Sequence, residues 1–178
     1  MKIGTVNCRK ARDVCGTASI DDWPAVRWYA MDKKADPEVF EGDFTSTKSI
    51  GKYVSSMMPD FTTKVTDMLQ LKDFVAASKG PAVLLFTDKK EAPPMWKALS
   101  REYNNRASLA FVPKCDKTGV FKTPVQREFD VYIPGIVQLD KVTSGTKEAF
   151  KSEFKMEILN LWLTKIVAVH LLSFSKII

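Results

Sequence analysis

The sequence predicts an α/β fold arranged in two successive units, and three observations carry that expectation. Ala82-Val83-Leu84-Leu85-Phe86 is an apolar run too short for an independent helix, and it reads as a buried strand. After the polar turn Thr87-Asp88-Lys89-Lys90-Glu91, Pro93-Pro94 opens an amphipathic helix with Trp96, Leu99 and Tyr103 at helical spacing. Proline suits the first turn of a helix, where its missing N–H would have had no partner, and strand–turn–helix is how a βα unit begins. Third, Pro59-Asp60 separates this unit from an earlier run of strand-like and helical patterns, and 178 residues are enough for two small domains.

Taken in order, Ile3-Gly4-Thr5-Val6 reads as a short strand and Arg9 to Val14 has helical character. Ile20, Trp23 and Pro24 precede a strand candidate at Ala25–Ala30, and Val39–Phe44 reads as a strand edge broken by Gly42. Ser46 or Thr47 is placed to cap a helix whose apolar face is Ile50, Tyr53, Val54, Met57 and Met58. In the second unit Val65 begins a strand, and Leu69–Ser78 form a helix with Leu71, Phe74 and Val75 inward. Gly80-Pro81 leads into the central strand, and the proline-started helix runs to about Asn104. Leu109–Val112 is the next strand, ending near Cys115, and residues 116–130 close in a helical piece, Val125 to Phe129. Ile133-Pro134 precedes a strand at Gly135–Leu139. From Lys155 onward the chain is apolar nearly all round, with Leu159, Leu163, Ile166, Val167, Leu171 and Leu172 among the set. This predicts a helix buried on several faces. A membrane span is the rival reading, but Lys165 and His170 lie inside it, and a central lysine costs roughly 2.5–3.5 kcal/mol on insertion.

The wording LLFTDKKEAPPMWKALSREY resembles the core strand and active-site helix of thioredoxin-fold domains in the protein disulfide isomerase family. It looks most like the non-catalytic thioredoxin-like domains of endoplasmic-reticulum proteins that combine a J-domain with thioredoxin repeats. In redox-active members the first cysteine of Cys-x-x-Cys follows the last strand phenylalanine by about five residues. Counted from Phe86, that place is held by Glu91-Ala92-Pro93-Pro94. Residues 2–59 resemble the second half of such a domain, through Asn7-Cys8, Val14-Cys15, Trp23-Pro24-Ala25, the strand that follows, and Phe40-Glu41-Gly42. The resemblance implies tandem thioredoxin-like folds, each a mixed sheet flanked by helices. Residues 1–60 would be the C-terminal half of a domain truncated at its N-terminus, beginning in mid-domain at Met1. Residues 61–178 would be a complete domain lacking Cys-x-x-Cys. It further implies cis peptide bonds at Pro24 and Pro134, and a structural disulfide between Cys8 and Cys15. Two reduced, buried cysteines are the alternative.

The remaining residues weigh against other chemistry. Net charge is +6, but lysines are dispersed among acids, as in Lys89-Lys90-Glu91, and no basic block marks a nucleic-acid face. One histidine and three cysteines without Cys-x-x-Cys give no metal site, and no cofactor motif is present. Residues 1–6 lack the apolar core of a signal peptide, and Ser175–Ile178 is not a retention signal, so an endoplasmic-reticulum lumen location rests on resemblance alone. Cys115 reads as a shielded strand-end thiol, His170 as a packed helix histidine, and Asp88, Glu91 and Glu102 as solvated carboxylates rather than an acid–base pair. No catalytic residue is assigned. The expected function is a redox-inactive thioredoxin-like module that binds a polypeptide or protein partner. One alternative is a fragment of a disulfide oxidoreductase whose catalytic motif lies upstream of Met1; another is a structural subunit of a larger assembly. The first unit alone is expected to leave Val6, Val26, Trp28 and Phe40 on an uncovered face, to be covered by the second unit, a second copy or another protein, so that self-association is one expected outcome.

Overall fold

The computed structural model describes residues 3–30, 35–118, 123–131, 133–141 and 143–174, with the side chains of 171–174 outside the description. The chain divides into two compact units, Met1–Met57 and Met58–Ile178.

The first unit contains α1 (Arg12–Thr17), β1 (Arg27–Trp28), β2 (Glu38–Val39) and α2 (Thr47–Met57). Its sheet is two antiparallel strands, with Arg27 opposite Val39 and Trp28 opposite Glu38. The expected strand over Ile3–Val6 is not formed: these residues are exposed coil, and a strand persists only with a partner to take its backbone groups. Of the expected strands at Ala25–Ala30 and Val39–Phe44, the first is reduced to Arg27–Trp28 and the second is replaced by Glu38–Val39, which shares only Val39 with it. Ser46 caps α2 as expected, its hydroxyl accepting from the Ser49 N–H at 3.2 Å. Phe40 is not on an uncovered face. It is buried beneath Phe44 and Tyr53, at ring separations of 5.5 and 5.0 Å, whereas Val6 is exposed and Val26 and Trp28 are half-buried. Gly42 is required there, since a Cβ at that position would lie 2.5 Å from the Phe40 ring. Arg27 donates through one guanidinium nitrogen to the Ala18 carbonyl and through the other to Ser19 O at 2.7 Å, tying the end of α1 to β1.

Cys8 and Cys15 are joined in a disulfide. Closing so short a loop stabilises by about 2–3 kcal/mol on the loop-entropy account. Replacing both cysteines with serine is therefore expected to destabilise the first unit by that free energy, lowering its melting midpoint, and leave the second unit's transition in place. Differential scanning calorimetry of the two proteins checks this, and an unchanged first transition would contradict it.

The second unit contains β3 (Thr63–Lys64), α3 (Met68–Ala77), β4 (Ala82–Phe86), α4 (Pro94–Tyr103), β5 (Ser108–Val112), α5 (Pro124–Phe129), β6 (Gly135–Leu139), β7 (Thr146–Ala149) and α6 (Met156–Phe174). The strands form one mixed sheet in the order β3-β5-β4-β6-β7. β3, β5 and β4 are parallel, while β6 runs antiparallel to both β4 and β7. β4 is fully buried along its length, and its side chains alternate between two cores. Val83 and Leu85 meet Trp96, Leu99 and Tyr103 of α4 and Leu159 and Leu163 of α6. Ala82, Leu84 and Phe86 meet Leu71, Phe74 and Val75 of α3 and Val125 of α5. Asp67 caps α3 by accepting from Gln70 N at 2.9 Å.

The structure adds one element and corrects one expectation. The strand β7 has no sequence signal, because Thr146-Lys147-Glu148-Ala149 carries no apolar alternation; it is held by its ladder to β6 and by Trp162, whose indole donates to Glu148 at 2.9 Å. The final helix is buried along one face, through Leu159, Leu163, Ile166 and Val167, and not on several, since Leu161 and Val169 lie exposed opposite that stripe. Leu171, Leu172 and residues 175–178 lie outside the described side chains. Among the described residues no helix is long and apolar enough to cross a membrane. Tyr103 anchors α6 to α4, its hydroxyl meeting the Asn160 carbonyl at 3.0 Å, the Asn160 side-chain oxygen, and Thr164 at 2.8 Å.

Candidate functional site

The C-terminal end of β4 runs into the turn that the sequence singles out, and backbone hydrogen bonds fix its path. Thr87 N–H donates to Val112 O at 3.1 Å, and Thr87 O accepts from Cys115 N at 2.9 Å. Lys89 O accepts from Lys114 N at 3.0 Å, so the turn is latched to the exit of β5. Glu91 is exposed, Ala92 is buried, Pro93 is the N-cap of α4 and Pro94 its exposed first residue. The N-cap has no side-chain acceptor, and the first turn of α4 carries no acid.

Opposite this turn lies the start of β6. Gly135 pairs with Phe86, so Pro134 stands directly beside the point where β4 gives way to the turn. The Ile133–Pro134 bond is cis, as is Trp23–Pro24. Pro134 is exposed, and Ile133 and Met95 are half-buried. The turn and the proline segment thus present partly exposed apolar side chains around one strand end.

The expected site residues fall into separate places. Cys8 and Cys15 are covalently paired in the first unit. Cys115 sits behind the turn with its thiol donating to Val112 O at 3.3 Å, and burial pushes that thiol above its ordinary range. Asp88, Glu91 and Glu102 do not gather: Asp88 pairs with Lys117 at 2.7 Å, Glu91 faces solvent, and Glu102 accepts from Asn160 in the last turns of α4. His170, held below its usual range first by burial and then by Lys141 and Lys147, lies on α6. Among the described residues no group of three or more His, Cys, Asp or Glu is placed to hold a metal.

Sequence reading missed the Asp88–Lys117 pair and the amide of Gln126, neither of which leaves a local signal. Gln126 is fully buried and bridges the two loops behind the turn. It accepts from Asp116 N at 3.0 Å and donates to Asp116 O at 3.0 Å and Val131 O at 3.2 Å.

The hydrogen bond from Lys117, helped by its charge and that of Lys89, holds the Asp88 carboxyl below the usual carboxylate range. A carboxyl depressed by folding contributes stability that is complete above its unfolded value, near 4, and is lost as pH falls through its folded value. Asp88→Asn is therefore expected to cost up to about 1 kcal/mol at pH 7 and progressively less below pH 4. Urea titrations of both proteins at pH 7 and pH 3 check this, and a difference that grows on acidification would contradict it.

No protein-family model matches the chain. It is 24% identical over 131 residues to a disulfide-isomerase-like protein of Dictyostelium discoideum, covering 71% of this chain and 32% of that protein. It is 27% identical over 114 residues to the DnaJ protein ERDJ3A of Oryza sativa subsp. japonica, covering 60% of this chain and 19% of that one. The chain thus spans a third or less of the curated relatives it matches. Among solved structures, form I of ERdj5 matches with a TM-score of 0.58 at 15% identity, over 94% of this chain and 23% of that one. The sheet order, the helices that flank it and these likenesses agree: the chain has the thioredoxin fold and resembles the thioredoxin-like domains of the protein disulfide isomerase family.

Proposed function

We propose that the chain is a redox-inactive thioredoxin-like module that binds an extended polypeptide or protein partner between the Glu91–Pro94 turn and Pro134. One observation carries the reading. At the start of α4, where exchange chemistry needs an accessible thiolate, there is Glu91-Ala92-Pro93-Pro94, while Met95, Ile133 and Pro134 leave apolar surface beside it. Such a surface favours burial of a partner's apolar side chains without covalent chemistry. Residues 61–178 act as the complete domain and residues 1–60 as the C-terminal half of another. The endoplasmic-reticulum lumen is the compartment that fits both the family resemblance and the Cys8–Cys15 disulfide, which persists where the surroundings are oxidising.

The test has two arms. Insulin reduction in the presence of the chain should run at the uncatalysed rate. An unfolded, alkylated polypeptide should perturb the amide resonances of residues 87–95 and 133–136, and Pro94→Glu at the exposed rim should weaken that binding about tenfold, or 1.4 kcal/mol. Catalysed insulin reduction would overturn redox inactivity. Binding that leaves these resonances unmoved would overturn the site.

A further inference from the structure

The sheet of the second unit has a gap beside the start of β5. β3 pairs with β5 at Thr63 opposite Ala110 and Lys64 opposite Phe111, whereas β4 pairs along the whole of β5, from Ser108 to Val112. The residues before Thr63 are held to α4 instead. Asp60 meets Lys97 at 3.5 Å, and the Phe61 N–H donates to Ser100 Oγ at 3.2 Å. These contacts draw the Phe61 peptide away from the strand it would otherwise flank.

A backbone donor is stranded as a result. Along a strand in a parallel ladder, alternate residues turn their N–H and C=O to the same neighbour. Val65 N–H donates to Phe111 O at 2.9 Å, so Phe111 and Leu109 face β3, while Ser108, donating to Pro81 O at 2.9 Å, faces β4. The acceptor in line for the Leu109 N–H is the Phe61 carbonyl, but the ladder ends at Thr63, short of that bond. Leu109 is 2% exposed, and among the described residues no other acceptor meets its N–H. Buried backbone N–H groups are nearly always paired, so this one calls for an acceptor from outside the chain.

The gap is a cavity of about 150 Å³. Leu109 lines it with the apolar Phe61, Phe74 and Ala107, and with Thr63, Asn104 and Ser108, whose side chains make no hydrogen bond to protein among the described residues. No charged side chain lines it. Ser108 lies opposite Ala82, the first residue of β4, so the cavity is at the end of the sheet remote from the Glu91–Pro94 turn.

We propose that this cavity binds a side-chain carboxamide, that of a glutamine or asparagine presented by a partner chain. The carboxamide oxygen accepts from the Leu109 N–H, and its NH2 donates to the side-chain oxygen of Asn104, with the Thr63 and Ser108 hydroxyls beside it. The methylene stem lies against Phe61, Phe74 and Ala107. A carboxylate would leave water for a site with no cation, and an aliphatic group would leave the Leu109 donor unpaired. A cavity of this volume takes a benzene-sized group, which suits one side chain and not a strand running through. The site is independent of peptide binding at Pro134.

The probe is propionamide, the glutamine side chain cut at its first carbon, added to the isotope-labelled full chain and followed by NMR. The Leu109 amide should shift saturably with a midpoint in the millimolar range, while the resonances of residues 133–136 stay in place. Methyl ethyl ketone has the same shape and accepts but cannot donate. It should bind at least about threefold more weakly, and propionate should not bind. Asn104 is exposed at the end of α4, so Asn104→Ala keeps the fold and should weaken propionamide binding about three- to tenfold. In the chain without probe, the Leu109 amide should exchange with solvent faster than that of Phe111. A Leu109 amide as slow as that of Phe111 would show its donor already satisfied and overturn the proposal. So would a shift that never saturates, one matched by the ketone or by propionate, or an affinity unchanged by Asn104→Ala. Those results would make the cavity a solvent pocket.

Discussion

Trp96→Ala is expected to remove about 3–5 kcal/mol from the stability of the second unit, the cost of truncating a large aromatic in a close-packed core. Trp96 has no exposed surface and fills the space between β4 and α6 with Val83, Leu85 and Leu163. Its indole N–H also donates to Ala110 O at 3.1 Å, which fixes the ring's orientation against β5. Typical domains are stable by about 5–15 kcal/mol, so this one change takes a large part of the whole. Trp96→Phe keeps much of the ring and loses the donor, and should cost about 1–2 kcal/mol. Urea titrations followed by far-ultraviolet circular dichroism measure both. A loss below 1 kcal/mol for the alanine variant would mean that the core closes around the vacancy.

The second large effect is at Gly80, with its opposite at Gly51. A Cβ on Gly80 would lie 2.3 Å from the Arg106 carbonyl oxygen, and that atom is backbone, fixed by the turn that delivers the chain to β5. Hydrogen bonds from Ser108 N to Pro81 O at 2.9 Å and from Arg106 N to Tyr103 O at 2.7 Å leave it little room to move. Gly80→Ala should therefore cost roughly 2–3 kcal/mol as overpacking against an unyielding neighbour. Gly51 lies in α2 with nothing within 4 Å of where its Cβ would be. Gly51→Ala should stabilise the first unit by about 0.5–1 kcal/mol, since alanine restricts the unfolded chain and favours the helix. Calorimetric scans of the two variants should show shifts of opposite sign, each in a different transition.

The second unit was legible because local patterns and tertiary packing agree in it. The unbroken apolar run of β4 and the spacing of Trp96, Leu99 and Tyr103 each name both an element and its buried face. β7 was illegible because its cause lies elsewhere in the chain: the β6 ladder and the Trp162 indole make a strand from four residues with no pattern of their own. The first unit misled in the opposite direction. Ile3–Val6 has strand-like residues, but propensity expresses itself only against a partner. At the candidate site, the turn sequence shows Glu91-Ala92-Pro93-Pro94 at the start of α4. Nothing in it shows that Lys117 returns to Asp88, or that Gln126 ties down the loops behind, because both contacts join residues whose proximity is set by the whole sheet.

With Cys8 and Cys15 joined, Cys115 is the chain's free thiol, and it is packed against the end of β5 with its ionisation suppressed by burial. A thiol-specific dye can reach that sulfur only during an excursion that lifts the loop latched to Thr87. The speed of labelling, divided by that of the same thiol in an unfolded peptide, gives the fraction of time the sheet end stands open. The molecule thereby reports the free energy of its own breathing in native buffer, at a single atom and with no denaturant.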